Sequence, residues 1–153
     1  MISSRLFHQS IAGWKCSNFI GITIDSACEK GFKNLLLCGH IGKLVKVAGG
    51  IYNTHSKEAD CRMELLACAA IEAGCGVPAV KKIIDAATTE EGISIIESEG
   101  KTKEAMNYLL KKIMFFLEKR AGGRINIGCM VYSNKFGLLA ESKNAREILR
   151  EVM

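Results

Sequence analysis

The chain has 153 residues, 48% of them hydrophobic and 24% charged, enough apolar material to bury the core of one globular domain; this excludes disorder as the default. A net charge of +5 comes with only 7% aromatic residues and no lysine or arginine cluster dense enough for a nucleic-acid stripe, so an anionic small molecule is at least as good a partner and no nucleic acid is expected. No apolar run approaches the ~18 residues of a membrane span, and the opening residues lack the apolar core of a secretory signal.

Residues 1–15 read as a lead segment, an abrupt beginning of the kind truncation leaves, and residues 16–153 as one α/β domain without a linker. Ser17 is placed to cap a helix running through Phe19, Ile20, Ile22, Thr23, Ile24 and Ala27 to Gly31. The apolar run NLLLCG, 34–39, suits a buried parallel strand. After a glycine-rich stretch, Thr54 or Ser56 caps a long helix over 55–74. Ala59, Met63, Leu66, Ala70 and Ala73 form its stripe, and Cys61, Leu65 and Cys68 make the back apolar too, as in a central helix.

Pro78 opens a short helix to Ala87, and Thr88 with Glu91 gives a T-x-x-E capping box for another ending near Gly100. Thr102 caps a third, whose stripe of Met106, Leu109, Leu110, Ile113, Phe116 and Leu117 closes at Gly122. Residues 124–133 restore a strand and 136–142 suggest another. The last segment, 143–153, is an amphipathic helix with Ala145, Ile148, Leu149 and Val152 inward. The expected fold class is α/β, a layered domain with a short, mostly parallel sheet flanked by helices.

The seven cysteines are odd in number and include no CxxC pair, which points to reduced thiols and a cytoplasmic setting. Cys61, Cys68 and Cys75 lie roughly 10 Å apart along a helix, too far for a disulfide or a shared metal ion, and read as packing residues.

The stretch GHIGKLVKVAGGIYNTHSKEADCR, 39–62, holds the candidate chemistry. Gly39, His40, Gly42 and Lys43 sit where a strand passes into a helix, the place where ligands gather in open α/β sheets. Glycine permits close backbone approach, free amides bind anions and Lys43 adds charge. The spacing is neither a Walker loop nor a GxGxxG fingerprint, and a purely structural glycine turn accounts for it equally well. Gly49 and Gly50 deliver Asn53, Thr54, His55 and Ser56 to the start of the long helix, where they can bind a ligand or simply cap. Asp60 and Glu64 share a helix face while Arg62 lies well round the cylinder; they can orient a substrate or form an ordinary solvated face. Adjacent His55 and Ser56 point apart and there is no GxSxG elbow, which argues against a Ser-His-Asp hydrolase. His40 and His55 lack metal-pair spacing, so no metal is expected.

Taken together, CSNFIG (16–21), LLLCGHIGKLVKVAGGIYNTHSKEADCRMELLA (35–67) and TTEEG (88–92) resemble the cobalt-precorrin-5B methyltransferase family, CbiD. The likeness covers most of the chain from Cys16 onward, strongest to Ala67 and looser after about Gly100. It implies an S-adenosylmethionine-dependent C-methyltransferase of anaerobic cobalamin biosynthesis, adding a methyl group at carbon 1 of the cobalt corrinoid cobalt-precorrin-5B to give cobalt-precorrin-6A. That substrate carries acetate and propionate carboxylates, for which Lys43, Lys46, Arg62 and glycine-loop amides are natural partners, as they are for the cofactor's carboxylate. In this reading His55 and Asp60 are the catalytic candidates. Gly39, His40, Gly42, Lys43, Lys46, Gly49, Gly50, Asn53, Thr54, Ser56 and Arg62 are the substrate- or cofactor-binding candidates. Family members are longer, with a substantial domain before the CSNFIG-like motif, so a missing N-terminal domain is an implied partner. Two other readings stand beside this one: a non-catalytic anion- or nucleotide-binding module, and an inert fragment whose exposed former interface drives self-association.

Overall fold

A strand apolar on both sides has to be covered on both faces. The run NLLLCGH meets that demand in the computed structural model, which describes residues 3–5 and 13–152, with side chains over 15–151. The elements follow in the order β1 (Ser3–Arg5), β2 (Gly13–Lys15), α1 (Ile20–Glu29), β3 (Asn34–His40), α2 (Ile41–Val47), α3 (Arg62–Ala73), α4 (Val77–Ile84), α5 (Thr89–Ser98), α6 (Thr102–Ala121), β4 (Asn126–Ser133), β5 (Gly137–Glu141) and α7 (Ala145–Val152). Leu35 and Leu37 of β3 face a core shared with Ile24, Leu44, Leu66, Ile93 and Ile113 of the helices, while Leu36, on the other face, packs against Ala145 and Ile148 of α7. Burying each such leucine or isoleucine contributes roughly 1.5–3 kcal/mol.

The main sheet has the order β3-β4-β5. β3 and β4 pair in parallel from Asn34↔Asn126 to His40↔Tyr132, with α2 to α6 filling the crossover. β5 returns antiparallel to β4, so the sheet is mixed and the expectation of a mostly parallel one is corrected. The reason is the turn at 134–136, far too short for a crossover connection. β1 and β2 pair antiparallel in the lead segment, where no strand was expected. Among the described residues no helix is long and apolar enough to cross a membrane.

Several helix starts move. Ser17 does not cap α1; it holds a left-handed φ of 50° in the preceding turn, and Phe19 is the N-cap residue. α3 begins at Arg62 and not near Ser56, so residues 55–61 form a loop and neither Thr54 nor Ser56 caps the helix. Asp60 therefore precedes α3 and shares no helical face with Glu64. Cys68 and Ile71 are exposed, so α3 is not covered all round and Cys68 is not a packing residue. Thr88 caps α5 as expected, its hydroxyl accepting from the Glu91 N–H at 3.1 Å; the Glu91 carboxylate reaches back to the N–H of Ala87. Thr102 is the first residue of α6 after an N-cap at Lys101, its hydroxyl bonded to Glu97. Met106, Leu109, Ile113 and Leu117 are the buried stripe of α6, which closes at Gly122, as the periodicity requires. The inward position expected for the Val152 side chain lies outside the described residues.

At residues 39–43 the expected passage from strand to helix is present, but without a glycine loop: β3 runs through His40 and α2 starts at the next residue.

Candidate functional site

Because β3 and β4 are parallel, their carboxyl ends, His40 and Ser133, come to one edge of the sheet. Ligands of open α/β sheets bind at such an edge. A cleft of about 780 Å³ opens here, within the ~300–1,000 Å³ of small-molecule sites. Segments far apart in sequence reach it: Ser17 before α1, His40, Gly42 and Lys43 at the β3–α2 passage, and Thr88, Thr89 and Glu90 at the start of α5. These belong to the three motifs CSNFIG, GHIGK and TTEEG. Lys15, Arg62, Tyr132 and Asn134 line it as well.

One chain of hydrogen bonds fixes this wall. The N–H of Gly42 donates to His40 Nδ1 at 3.0 Å, which places the ring proton on Nε2. Nε2 lies 3.0 Å from Glu90 Oε1 and donates to it. Glu90 Oε2 accepts from the Ser133 hydroxyl at 3.1 Å, and Ser133 Oγ in turn accepts from the N–H of Phe136 at 2.7 Å. Every proton in the series has one acceptor, and the two parallel strand ends are tied to the first turn of α5. The ring of Tyr132 meets that of His40 edge-on, with centroids 5.9 Å apart. A side chain at Gly42 would crowd this link: a Cβ there would lie 3.1 Å from His40 Nδ1 and 3.4 Å from the Thr89 hydroxyl. Its amide, expected to be open to an anion, is taken by His40.

Lys43 stands beside this relay and donates to Asn18 Oδ1 at 2.9 Å. The same oxygen accepts from the Thr54 hydroxyl at 3.3 Å, and the Thr54 N–H donates to the Asn18 carbonyl at 2.9 Å. The SNF and YNT segments thus hold each other and position Lys43. Arg62 forms a bidentate pair with Asp60, Nε to Oδ1 at 2.9 Å and Nη2 to Oδ2 at 3.0 Å. That contact, before any other influence, holds the Asp60 carboxyl below the usual carboxylate range and raises the Arg62 guanidinium. Asp60 therefore acts on the cleft by orienting Arg62.

Other expected site residues lie elsewhere. Lys46 is buried at 3% exposure, and its ammonium donates to the carbonyls of Thr54 at 3.0 Å and Ala59 at 2.9 Å. A buried ammonium is tolerable only with such partners, and here it fastens both ends of the 54–59 loop. Exposed His55 closes a local turn: its N–H donates to Asn53 Oδ1 and its Nδ1 accepts from the N–H of Lys57, each at 3.1 Å. Ser56 is exposed on that turn, Thr54 is buried, and neither they nor His55 line the cleft. Asn53 borders a smaller cavity of about 240 Å³ with Tyr52 and Arg120. Gly39 is buried in β3. Gly49 and Gly50 follow α2 and its C-cap Ala48 in a turn, and Gly50, at φ 78°, leaves no room for a side chain because a Cβ would meet the Phe116 ring at 2.9 Å.

Glu90, Thr89, Ser133 and Tyr132 were missed by sequence reasoning. By its local chemistry TTEEG gives only a helix start, and the one further signal is that it belongs to the family-like motifs. The pairing of His40 with a carboxylate fifty residues away leaves no trace in a single sequence.

The sequence profile described as "CbiD, C-terminal domain" matches residues 53–143. The cobalt-precorrin-5B C(1)-methyltransferase of Methanocaldococcus jannaschii is 44% identical over 119 residues, 78% of this chain and 33% of that protein. The proteins of the same name from Alkaliphilus metalliredigens and Ruminiclostridium cellulolyticum are 38% identical over 135 residues (88% of this chain, 36% of the relative) and 43% over 123 (80% and 32%). The chain thus spans about a third of the length of the curated relatives it matches. No solved structure matches it. The profile match takes in Arg62, Glu90 and Ser133, more than half of the chain, and on that match the chain belongs to the CbiD family.

Proposed function

We propose that this chain supplies the C-terminal part of an S-adenosylmethionine-dependent enzyme that methylates cobalt-precorrin-5B at carbon 1, giving cobalt-precorrin-6A in cobalamin biosynthesis. The observation that carries the reading is the meeting of CSNFIG, GHIGK and TTEEG at one cleft beyond two parallel strand ends. The names of the relatives support it, since each is a cobalt-precorrin-5B C(1)-methyltransferase.

S-adenosylmethionine supplies an electrophilic methyl group on a sulfonium, and the carbon nucleophile belongs to the corrinoid, so the protein's task is alignment. Lys43 and Arg62 offer charge-assisted hydrogen bonds to a carboxylate. The clamp through His40, Glu90 and Ser133 keeps the wall in one geometry. The relatives' further length is the natural partner for closing the cleft against water. The free thiols suit a reducing, cytoplasmic setting.

The test is label transfer. The chain is incubated with methyl-labelled S-adenosylmethionine and cobalt-precorrin-5B, alone and with the complementary N-terminal part of the Methanocaldococcus jannaschii relative. A corrinoid heavier by one labelled methyl group, lost with Lys43→Ala, is the expected product. An unlabelled corrinoid in both mixtures, with both proteins folded by circular dichroism, contradicts the reading.

A further inference from the structure

The cleft is not uniformly basic. Among the described residues lining it, Glu90 is the one carboxylate, in the company of Lys15, Lys43 and Arg62. A carboxylate offers about four acceptor positions, and His40 and Ser133 occupy two on Glu90. Its side chain keeps 28% exposure, so acceptor capacity remains toward the cleft. The carboxylate cannot swing away, because both oxygens are held from the ends of two strands. Lys43, for its part, has three N–H donors and gives one to Asn18.

A fixed anion beside cations selects a zwitterion. Of the two reactants in the methyltransferase reading, on which this inference rests, the corrinoid is fringed with carboxylates, which can pair with the cations of the cleft but leave Glu90 without a partner. The methyl donor carries an α-ammonium, an α-carboxylate and a sulfonium. A carboxylate against the sulfonium would stabilise the charged reactant over a transition state in which that charge disperses, opposing transfer. The α-ammonium takes no part in the reaction and can be held tightly throughout. We infer that the cleft binds the methyl donor by its amino-acid end, with Glu90 accepting from the α-ammonium and Lys43 and Arg62 holding the α-carboxylate.

Calorimetric titration of the full chain with S-adenosylhomocysteine and with 5′-methylthioadenosine tests this, because the second ligand keeps the nucleoside and thioether but lacks the amino-acid end. Wild type is expected to bind S-adenosylhomocysteine at least tenfold more tightly. Glu90→Gln keeps an acceptor for His40 and removes the charge. It should weaken S-adenosylhomocysteine by roughly tenfold or more while leaving 5′-methylthioadenosine within about twofold, as loss of a charge-assisted hydrogen bond requires. Lys43→Ala should show the same split. Equal affinity of wild type for both ligands, a Glu90→Gln variant that keeps the preference, or equal weakening of both ligands each overturns the inference. So does absence of S-adenosylhomocysteine binding, which leaves the methylation reading to stand or fall on label transfer alone.

Discussion

Replacing Lys46 by methionine removes a buried ammonium and keeps most of its stem. Two hydrogen bonds from a charged donor disappear, those to the Thr54 and Ala59 carbonyls at 3.0 and 2.9 Å, each worth about 1.5–3 kcal/mol. The methionine recovers part of this by sparing the desolvation of a charge, so the net loss should be about 2–4 kcal/mol. For a domain of this size each kcal/mol moves the midpoint about 2–4 °C, and Tm should fall by roughly 5–15 °C. The damage should also be local. Asp60 follows the fastened loop directly and holds Arg62, so a loosened loop disorders one wall of the cleft without touching its ligand. Urea denaturation gives the first quantity, and hydrogen exchange over 53–62 the second. A variant within about 0.5 kcal/mol of wild type, with unchanged exchange in that loop, refutes the assignment of Lys46 to the fold.

Gly42→Ala pushes a Cβ toward His40 Nδ1, so the ring must shift and its link to Glu90 lengthen. Stability should drop by only about 1 kcal/mol while affinity for S-adenosylhomocysteine falls severalfold; unchanged imidazole resonances and affinity contradict this. The Arg120 guanidinium holds the Asp25 carboxyl below its ordinary value through bonds of 2.9 and 2.7 Å. A depressed folded pKa stabilises fully above the unfolded value of ~3.9 and loses that contribution as pH falls through the lower folded one. Both partners are more than a third exposed, so the pair is worth less than about 1 kcal/mol. Asp25→Asn should therefore be slightly less stable than wild type at pH 6, with a smaller gap near pH 2.5, as urea midpoints would show. An equal gap at both pH values would mean that the loss comes from packing.

Much of the fold was legible because its signals are local. The run over 34–39, the Thr88 cap and the 3.6-residue stripe of α6 each declare themselves within a few neighbours. The errors between β3 and α3 share one cause, which is tertiary contact overriding local chemistry. Ser56 and Thr54 are good caps by type, yet the buried ammonium of Lys46 and the bonds to Asn18 hold the chain out of helix until Arg62. A glycine on each side of His40 looked like a loop. Gly39 instead sits buried in a strand, and Gly42 makes room for the His40 ring. Of the expected site, His40, Gly42, Lys43 and Arg62 line the cleft because they flank the end of β3 or enter α3 beside it. His55 and Ser56 lie on the exposed side of their loop. Glu90 could not be found from the sequence because its role exists only once β3, β4 and α5 have met.

The claim that three distant segments form one donor-binding cleft is tested most directly by amide chemical shifts of the chain titrated with S-adenosylhomocysteine. Ser17, Gly42, Lys43, Thr89 and Glu90 should move together with a single saturation curve. Shifts confined to the face of Phe19, Tyr52 and Arg120, or no shifts at all, would contradict the account.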